Sequence, residues 1–409
     1  MNKKQINTLL KETAYVRESA TEGELKSAEY LKEQCEKLGV KAELETFEVD
    51  GDIVESASLT ADGRSIPCTG YRCSGNGDVE AELYYMPGSD RASIAGCKGK
   101  IVMTDGGMTK FLYQDILEAG AVGFITYNGD IRFPDHDIDR KELRSYVSLG
   151  KKLPGVNIHV SEAVRIIGNA VKRVHLTVKQ KEMKAESRNV VAVLPGERKE
   201  FIAFTAHYDS VPLSVGSYDN MSGCIGLLGI MEKAIHTQRR LYSMRFIFCG
   251  SEERGLLGSK TYTVKHEEEL KDCVLCINLD MIGSVMGKFI ACVSGPDALV
   301  QYLKMRGCIK GFGINPRSGV YSSDSTPFAD KGVPSLSFAR LAPGRTATIH
   351  NRYDTPAVMS SSQTLVDIDF ITDFSMEMVN AAVCPVERVI PDSVKKQLDE
   401  YLGRKRKED

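Results

Sequence analysis

No apolar run in the sequence approaches the roughly 20 residues that cross a bilayer as a helix. The strongest runs, Ile225 to Met231 and Phe246 to Cys249, are short and either broken by Gly or bounded by charge. A membrane role is therefore not expected. Neither charge is in excess: 53 Lys and Arg stand against 55 Asp and Glu, a formal charge of -2, so no overall field would draw nucleic acid or an anionic surface. The run Arg404 to Lys407 reads as a solvated terminus. Met1 to Tyr15 lacks the apolar core of roughly 7–15 residues found in a secretory signal, and a cytoplasmic location is expected. The eleven Cys are odd in number and scattered, several in apolar stretches (Cys224, Cys249, Cys292), as free thiols in a reducing compartment are. Cys273 and Cys276 form a C-x-x-C inside the strand-like CVLCINLDM, where extended backbone does not converge two thiols. There is no G-x-S-x-G elbow and no Walker loop, which removes serine-hydrolase and P-loop readings. Asp135, Asp137 and Asp139 imitate the start of an EF-hand, but Arg140 and Tyr146 stand where its Gly and Glu are required.

What is present is a chain of 409 residues, 42% hydrophobic and 26% charged, enough for two to three domains at roughly 150 residues each. Apolar residues recur at helical spacing at Ile6, Leu9 and Leu10, then at Leu25, Ala28, Tyr30, Leu31, Cys35 and Leu38, with Gly39 as a terminator. A strand over Lys41 to Val49 follows. From Asp52 to Ala185 the texture changes to short β-rich runs with many Gly, which reads as a separate lobe. From Arg188 onward strands (NVVAVL, FIAFTA, SMRFIFC, VLCINLDM, PSLSF) alternate with helical stretches. That alternation predicts an α/β fold with a mostly parallel central sheet flanked by helices. The expected domains are residues 1–51 with 186–409, interrupted by an inserted lobe over 52–185.

Two of the seven His sit beside carboxylates at strand ends: His207 in FTAHYDS and His350 in TIHNRYDT. His207 and Asp209 are two apart after the run Phe201 to Ala206, so one can ligate a metal while the other braces it. Asp219 stands in the loop GSYDNMSG before a helix, Glu252 and Glu253 follow the strand Arg245 to Cys249, and Asp280 ends VLCINLD. Acidic groups thus gather beyond the carboxyl ends of successive strands, where open α/β sheets bind ligands. Carboxylates so crowded repel one another unless cations neutralise them. Two His with three or more carboxylates suit a pair of Zn²⁺ ions, and a metal-assisted hydrolase is the leading expectation.

These residues resemble the co-catalytic di-zinc aminopeptidases of the aminopeptidase Y and aminopeptidase S type, in HYD, GSYDNMSG, SEE, NLDM and IHNRYDT, and in the upstream SRNVVAVLPGE. The inserted lobe, with GKIVMTDGGMTKFLYQDILEAGAVGFITYN, resembles a protease-associated (PA) domain. The resemblance implies a three-layer αβα zinc-peptidase fold with one zinc on His207 and Asp280, the other on Glu253 and His350, and Asp219 bridging both. Glu252 would be the general base and Asp209 the partner that orients His207. The implied substrate is a peptide cleaved from its amino end. A carboxypeptidase or dipeptidase on the same centre, and a non-catalytic binding protein on this fold, are the alternatives. The chain departs from the family's Ser-Asp-His before Pro-Phe: it reads SSDSTPF, with Ser325 in the His position. Tyr321 is a candidate for lining the pocket or stabilising the oxyanion. Arg340, Arg345 and Arg352, around His350, would either hold a substrate carboxylate or pair with the acidic rim. The inserted lobe's His136, His159 and His175 lie outside the metal motifs.

Overall fold

The computed structural model of the protein describes residues 1–406 except Pro134, His136, Gln238 and Arg345. The readings of His136, Arg345 and Lys407 fall outside the described residues. The chain divides into two compact units, Met1–Phe47 with Glu186–Asp409, and Glu48–Ala185. The first division falls at 47/48, inside the strand Ala42–Ala61, and the second inside Arg173–Leu194. A boundary within a continuous strand leaves no Pro- or Gly-rich linker to mark it in the sequence.

The first unit opens with helices Lys3–Glu12 and Glu22–Lys37. Asn2 and Gln5 form a reciprocal capping box at 3.0 and 2.7 Å. The second helix buries Glu24, Ala28, Leu31 and Cys35, spaced four, three and four residues apart as one helical face requires. Leu25, expected on that face, lies about 100° away from Glu24 and is exposed. A glutamate therefore takes the inner position of the first turn.

The sheet of this unit runs in the order Asn315–Ser318, Lys288–Ser294, Ser335–Leu341, Cys273–Leu279, Phe201–His207, Ser243–Cys249 and the last part of Arg173–Leu194. The four strands from Ser335–Leu341 to Ser243–Cys249 are mutually parallel; antiparallel partners flank them on either side. Phe201–His207 is buried at every residue, as a central parallel strand covered on both faces must be. Helix Ser222–Ile235 covers one face. A Cβ on Gly226 would lie 2.5 Å from Leu279 Cδ2, and one on Gly229 would lie 3.0 Å from Ile368. Gly226 lets this helix approach the strand end that leads to Asp280, and Gly229 lets it approach helix Ser361–Val379.

The second unit carries the parallel neighbours Gly77–Tyr85, Ile101–Asp105, Gly123–Asn128 and Gly155–His159, with Cys68–Gly70 antiparallel at one edge. Helices Lys110–Glu118 and Val160–Gly168 belong to it as well. The unit is β-rich, as the short strand-like runs suggest, and helices alternate with its parallel strands. His159 caps helix Val160–Gly168, accepting from Ser161 N at 3.2 Å, and His175 pairs with the exposed Asp78. All eleven Cys are free thiols, with Cys273 and Cys276 buried. No helix among the described residues is long and apolar enough to cross a membrane.

Candidate metal centre

Each acidic or imidazole group of the centre is delivered by the carboxyl end of a central strand or by the loop beyond it. His207 is the last residue of Phe201–His207, and Glu252 and Glu253 follow Cys249 by one turn. Asp280 follows Leu279, and His350 lies beyond Ser335–Leu341. Asp219 sits in the turn Ser217–Met221 in front of helix Ser222–Ile235. Ser251, Met281 and His350 have left-handed backbone, with φ of 55°, 62° and 62°, a conformation that non-glycine residues rarely adopt outside places where surrounding contacts impose it.

The structure brings all seven sequence-derived acids and histidines into one neighbourhood. Asp219 Oδ1 lies 3.2 Å from His207 Nε2 and its Oδ2 lies 3.2 Å from His350 Nε2. Glu253 Oε2 is also 3.2 Å from His350 Nε2, and Asp280 Oδ1 is 3.9 Å from His207 Nε2. Two clusters result, His207–Asp219–Asp280 and Asp219–Glu253–His350, each with ligand atoms within 4.8 Å of one another. Atoms bound tetrahedrally about 2.0–2.1 Å from a common ion stand about 3.3 Å apart, so these separations fit a shared cation on either side of Asp219. Asp280 Oδ1 is buried with no hydrogen-bond partner, which a cation would supply. Glu252 Oε2 is 3.8 Å from His207 Nε2 and belongs to neither cluster.

Asp209 is fully buried, and its main hydrogen bonds are not to the imidazole. Its Oδ1 accepts from Glu252 N at 2.9 Å and its Oδ2 from Glu253 N at 3.2 Å. His207 Nδ1 stands 3.2 Å from the Asp209 backbone oxygen and 3.5 Å from Oδ1. Burial alone would lower both histidines, but the surrounding carboxylates prevail. Glu252 with Asp209 and Asp219 holds His207 well above the imidazole range, and Glu253 with Asp219 pushes His350 to about 11. Burial raises Glu252 far above the usual carboxylate range and Asp280 to about 7. Asp219 goes the other way: its bonds to two histidines outweigh its burial and hold it low.

Several residues that the motifs did not single out complete the frame. Asp354, in the same segment as His350, accepts from Tyr218 N at 2.7 Å and Asp219 N at 2.9 Å, fixing the backbone of the shared carboxylate. Asn220 donates to Leu279 O at 2.9 Å and accepts from Met281 N at 3.0 Å, which ties Asp219 to the Asp280 strand end. Asp324 is fully buried with no hydrogen-bond partner on either oxygen, and burial pushes it to about 6. Tyr321 has a buried hydroxyl with no hydrogen-bond partner; burial, then the charges of Asp280 and Asp219, drive it well up. Ser325 is buried with its hydroxyl 2.7 Å from Ser337 Oγ, so it faces into the fold. Arg340 is buried against Asp367, with Nε at 2.9 and 3.1 Å from its oxygens and Nη2 at 2.5 Å. It faces neither a substrate carboxylate nor the acidic rim.

An open parallel sheet with paired histidines and carboxylates at its carboxyl ends defines a metallohydrolase. Residues 189–370 match the model of Peptidase family M28. The chain is 28% identical over 410 residues to aminopeptidase YwaD of Bacillus subtilis (strain 168), covering 95% of this chain and 83% of that one. The crystal structure of BSAP, a zinc aminopeptidase from Bacillus subtilis, superposes with a TM-score of 0.76 at 25% identity, over 95% of this chain and 99% of that one. An aminopeptidase from Aneurinibacillus sp. strain AM-1 shares the fold, with a TM-score of 0.77 at 23% identity over 94% and 96% of the two chains.

Proposed function

We propose that this protein is a di-zinc aminopeptidase, with His207 and Asp280 holding one ion, Glu253 and His350 the other, and Asp219 between them. The observation that carries the reading is the placement of Asp219, one oxygen 3.2 Å from each of two histidines. When bound, two such ions supply Lewis-acid polarisation of a carbonyl and lower the pKa of water. Glu252 stands beside the ligands without joining them, and its burial favours holding a proton. It takes the proton of the attacking water on a carboxylate oxygen and returns it to the leaving amine. Asp209 fixes the backbone from which Glu252 reaches, and Tyr321 offers its hydroxyl to the developing oxyanion. The carboxylates also offer negative partners to a substrate ammonium. Arg340, occupied by Asp367, is not available to a carboxyl terminus, which favours the amino end. The insertion 48–185 is read as the PA-like lobe, and none of its described residues is in either candidate metal cluster.

Cleavage of short peptides with free and acetylated amino ends tests the reading. Release of single residues from free amino ends is expected. Acetylation should cost about 1.5–3 kcal/mol of transition-state binding, the range for a charged hydrogen bond. Glu252→Gln should retain metal and lose about 10²-fold or more in turnover. Equal cleavage of free and blocked peptides, or release from the carboxyl end, would establish the carboxypeptidase alternative instead.

A further inference from the structure

The turn that precedes Glu252 is held from the first turn of helix Glu22–Lys37, more than two hundred residues away in sequence. Glu24 is fully buried, and its carboxylate accepts four hydrogen bonds. Ala20 N donates to Oε2 at 2.7 Å, and Ser187 Oγ, Ser251 N and Ser251 Oγ approach Oε1 at 2.7, 3.0 and 3.2 Å. Ser19 Oγ also meets Ser251 Oγ. Ser251 has the left-handed backbone noted above. A Cβ on the preceding Gly250 would lie 2.4 Å from Arg188 O, 2.8 Å from Ser187 Oγ and 2.9 Å from Glu24 Oε1. The turn is thus pressed against Glu24 with no room to close further.

Arg17 secures the same segment to the other side of the site. It is fully buried and donates to the backbone oxygens of Tyr208 at 2.6 Å, Thr13 at 2.8 Å and Gly216 at 2.9 Å. Its own backbone exchanges bonds with Ser210, at 3.0 and 3.1 Å. Residues 17–24 therefore touch both the loop after His207 and the turn before Glu252. An apolar side chain would fill the Glu24 position without the cost of burying a carboxylate. What the carboxylate adds is direction: it fixes the Ser251 N–H, and with it the backbone from which Glu252 projects. Catalytic groups need such support to hold a productive geometry.

We propose that Glu24 is a positioning residue for the peptidase reaction, setting the Ser251 backbone and through it the reach of the Glu252 carboxylate. The inference rests on Glu252 being the general base. Glu24→Ala is expected to lower kcat about 10–100-fold, with KM and bound metal as in the unaltered enzyme and with faster amide exchange across residues 250–255. Glu24→Gln keeps an acceptor toward Ser251 and should return kcat to within about threefold and restore amide protection. The proposal is overturned if Glu24→Ala keeps full kcat, if its loss merely follows a lost metal-loaded fraction, or if the Gln variant is as poor as the Ala variant. Should Glu24→Ala fail to fold, Glu24→Asp, which withdraws the carboxylate by one methylene, is read by the same measurements. Glu252→Gln run in parallel separates the two ideas. An active Glu252→Gln removes the base itself, whereas an inactive one beside a fully active Glu24→Ala removes only the positioning role.

Discussion

The carboxylate of Asp209 receives the backbone N–H groups of both Glu252 and Glu253, at 2.9 and 3.2 Å. One side chain therefore sets the backbone of the proposed base and of a proposed ligand, while its own backbone oxygen faces His207 Nδ1. Asp209→Asn keeps the shape but turns a donor toward one of the two amides. Metal affinity, measured by chelator competition, should fall about 10–100-fold, and kcat at saturating metal should fall less than in Glu252→Gln. Unchanged affinity would show that the two amides hold their positions without it.

The proposal of two ions per chain rests on the two clusters that share Asp219. Elemental analysis of gently purified protein should approach two zinc equivalents. Chelation should lower the melting temperature and zinc should restore it, because ligands that bind only the native state stabilise it. A stoichiometry of one that added zinc does not raise would leave a single-ion centre.

Arg340 and Asp367 form a buried pair, 9% and 0% exposed. Arg340→Met strands the carboxylate and should cost about 3–5 kcal/mol in urea unfolding. The folded fraction should keep the unaltered KM for peptides. A KM raised about tenfold or more with stability intact would assign Arg340 to the substrate.

Burial, reinforced by the negative charge of Asp209, pushes Glu24 up to about 7 from an ordinary value of 4.5. Between those two values the folded chain holds more proton than the unfolded one. The stability linked to this group is therefore full below the unfolded value and is lost as pH rises through the folded one. Glutamine does not ionise. The melting temperature of Glu24→Gln should accordingly gain on that of the unaltered protein between about pH 5 and about pH 8. A difference that is constant with pH would mean that Glu24 is ionised throughout.

The catalytic sheet was legible in the sequence because its strands are covered on both faces. FIAFTA, SMRFIFC and VLCINLDM are continuous apolar runs, and the acids just beyond them stand out against that background. The same contrast exposed His207, Asp219, Glu252, Glu253, Asp280 and His350. Edge elements were less visible: Asn315–Ser318 contains Pro316 and buries one residue of its four, so it lacks a strand pattern and is tolerated only because an edge strand can spare a donor.

Partnerships of buried charges were decided by the tertiary structure alone. Glu24 occupies an ordinary place in an amphipathic helix, and its partner Ser251 is 227 residues away. Asp354 sits in the same motif as His350, yet no spacing announces that it clamps the Asp219 amide. Arg340 looked like a rim charge until Asp367 was found beneath it. Local periodicity reports which face of an element leaves water, since burial repeats with the geometry of the backbone. It does not report which distant donor lies within 3 Å of a buried carboxylate, because that depends on how separate elements pack, and hydrogen bonds act only over that short range.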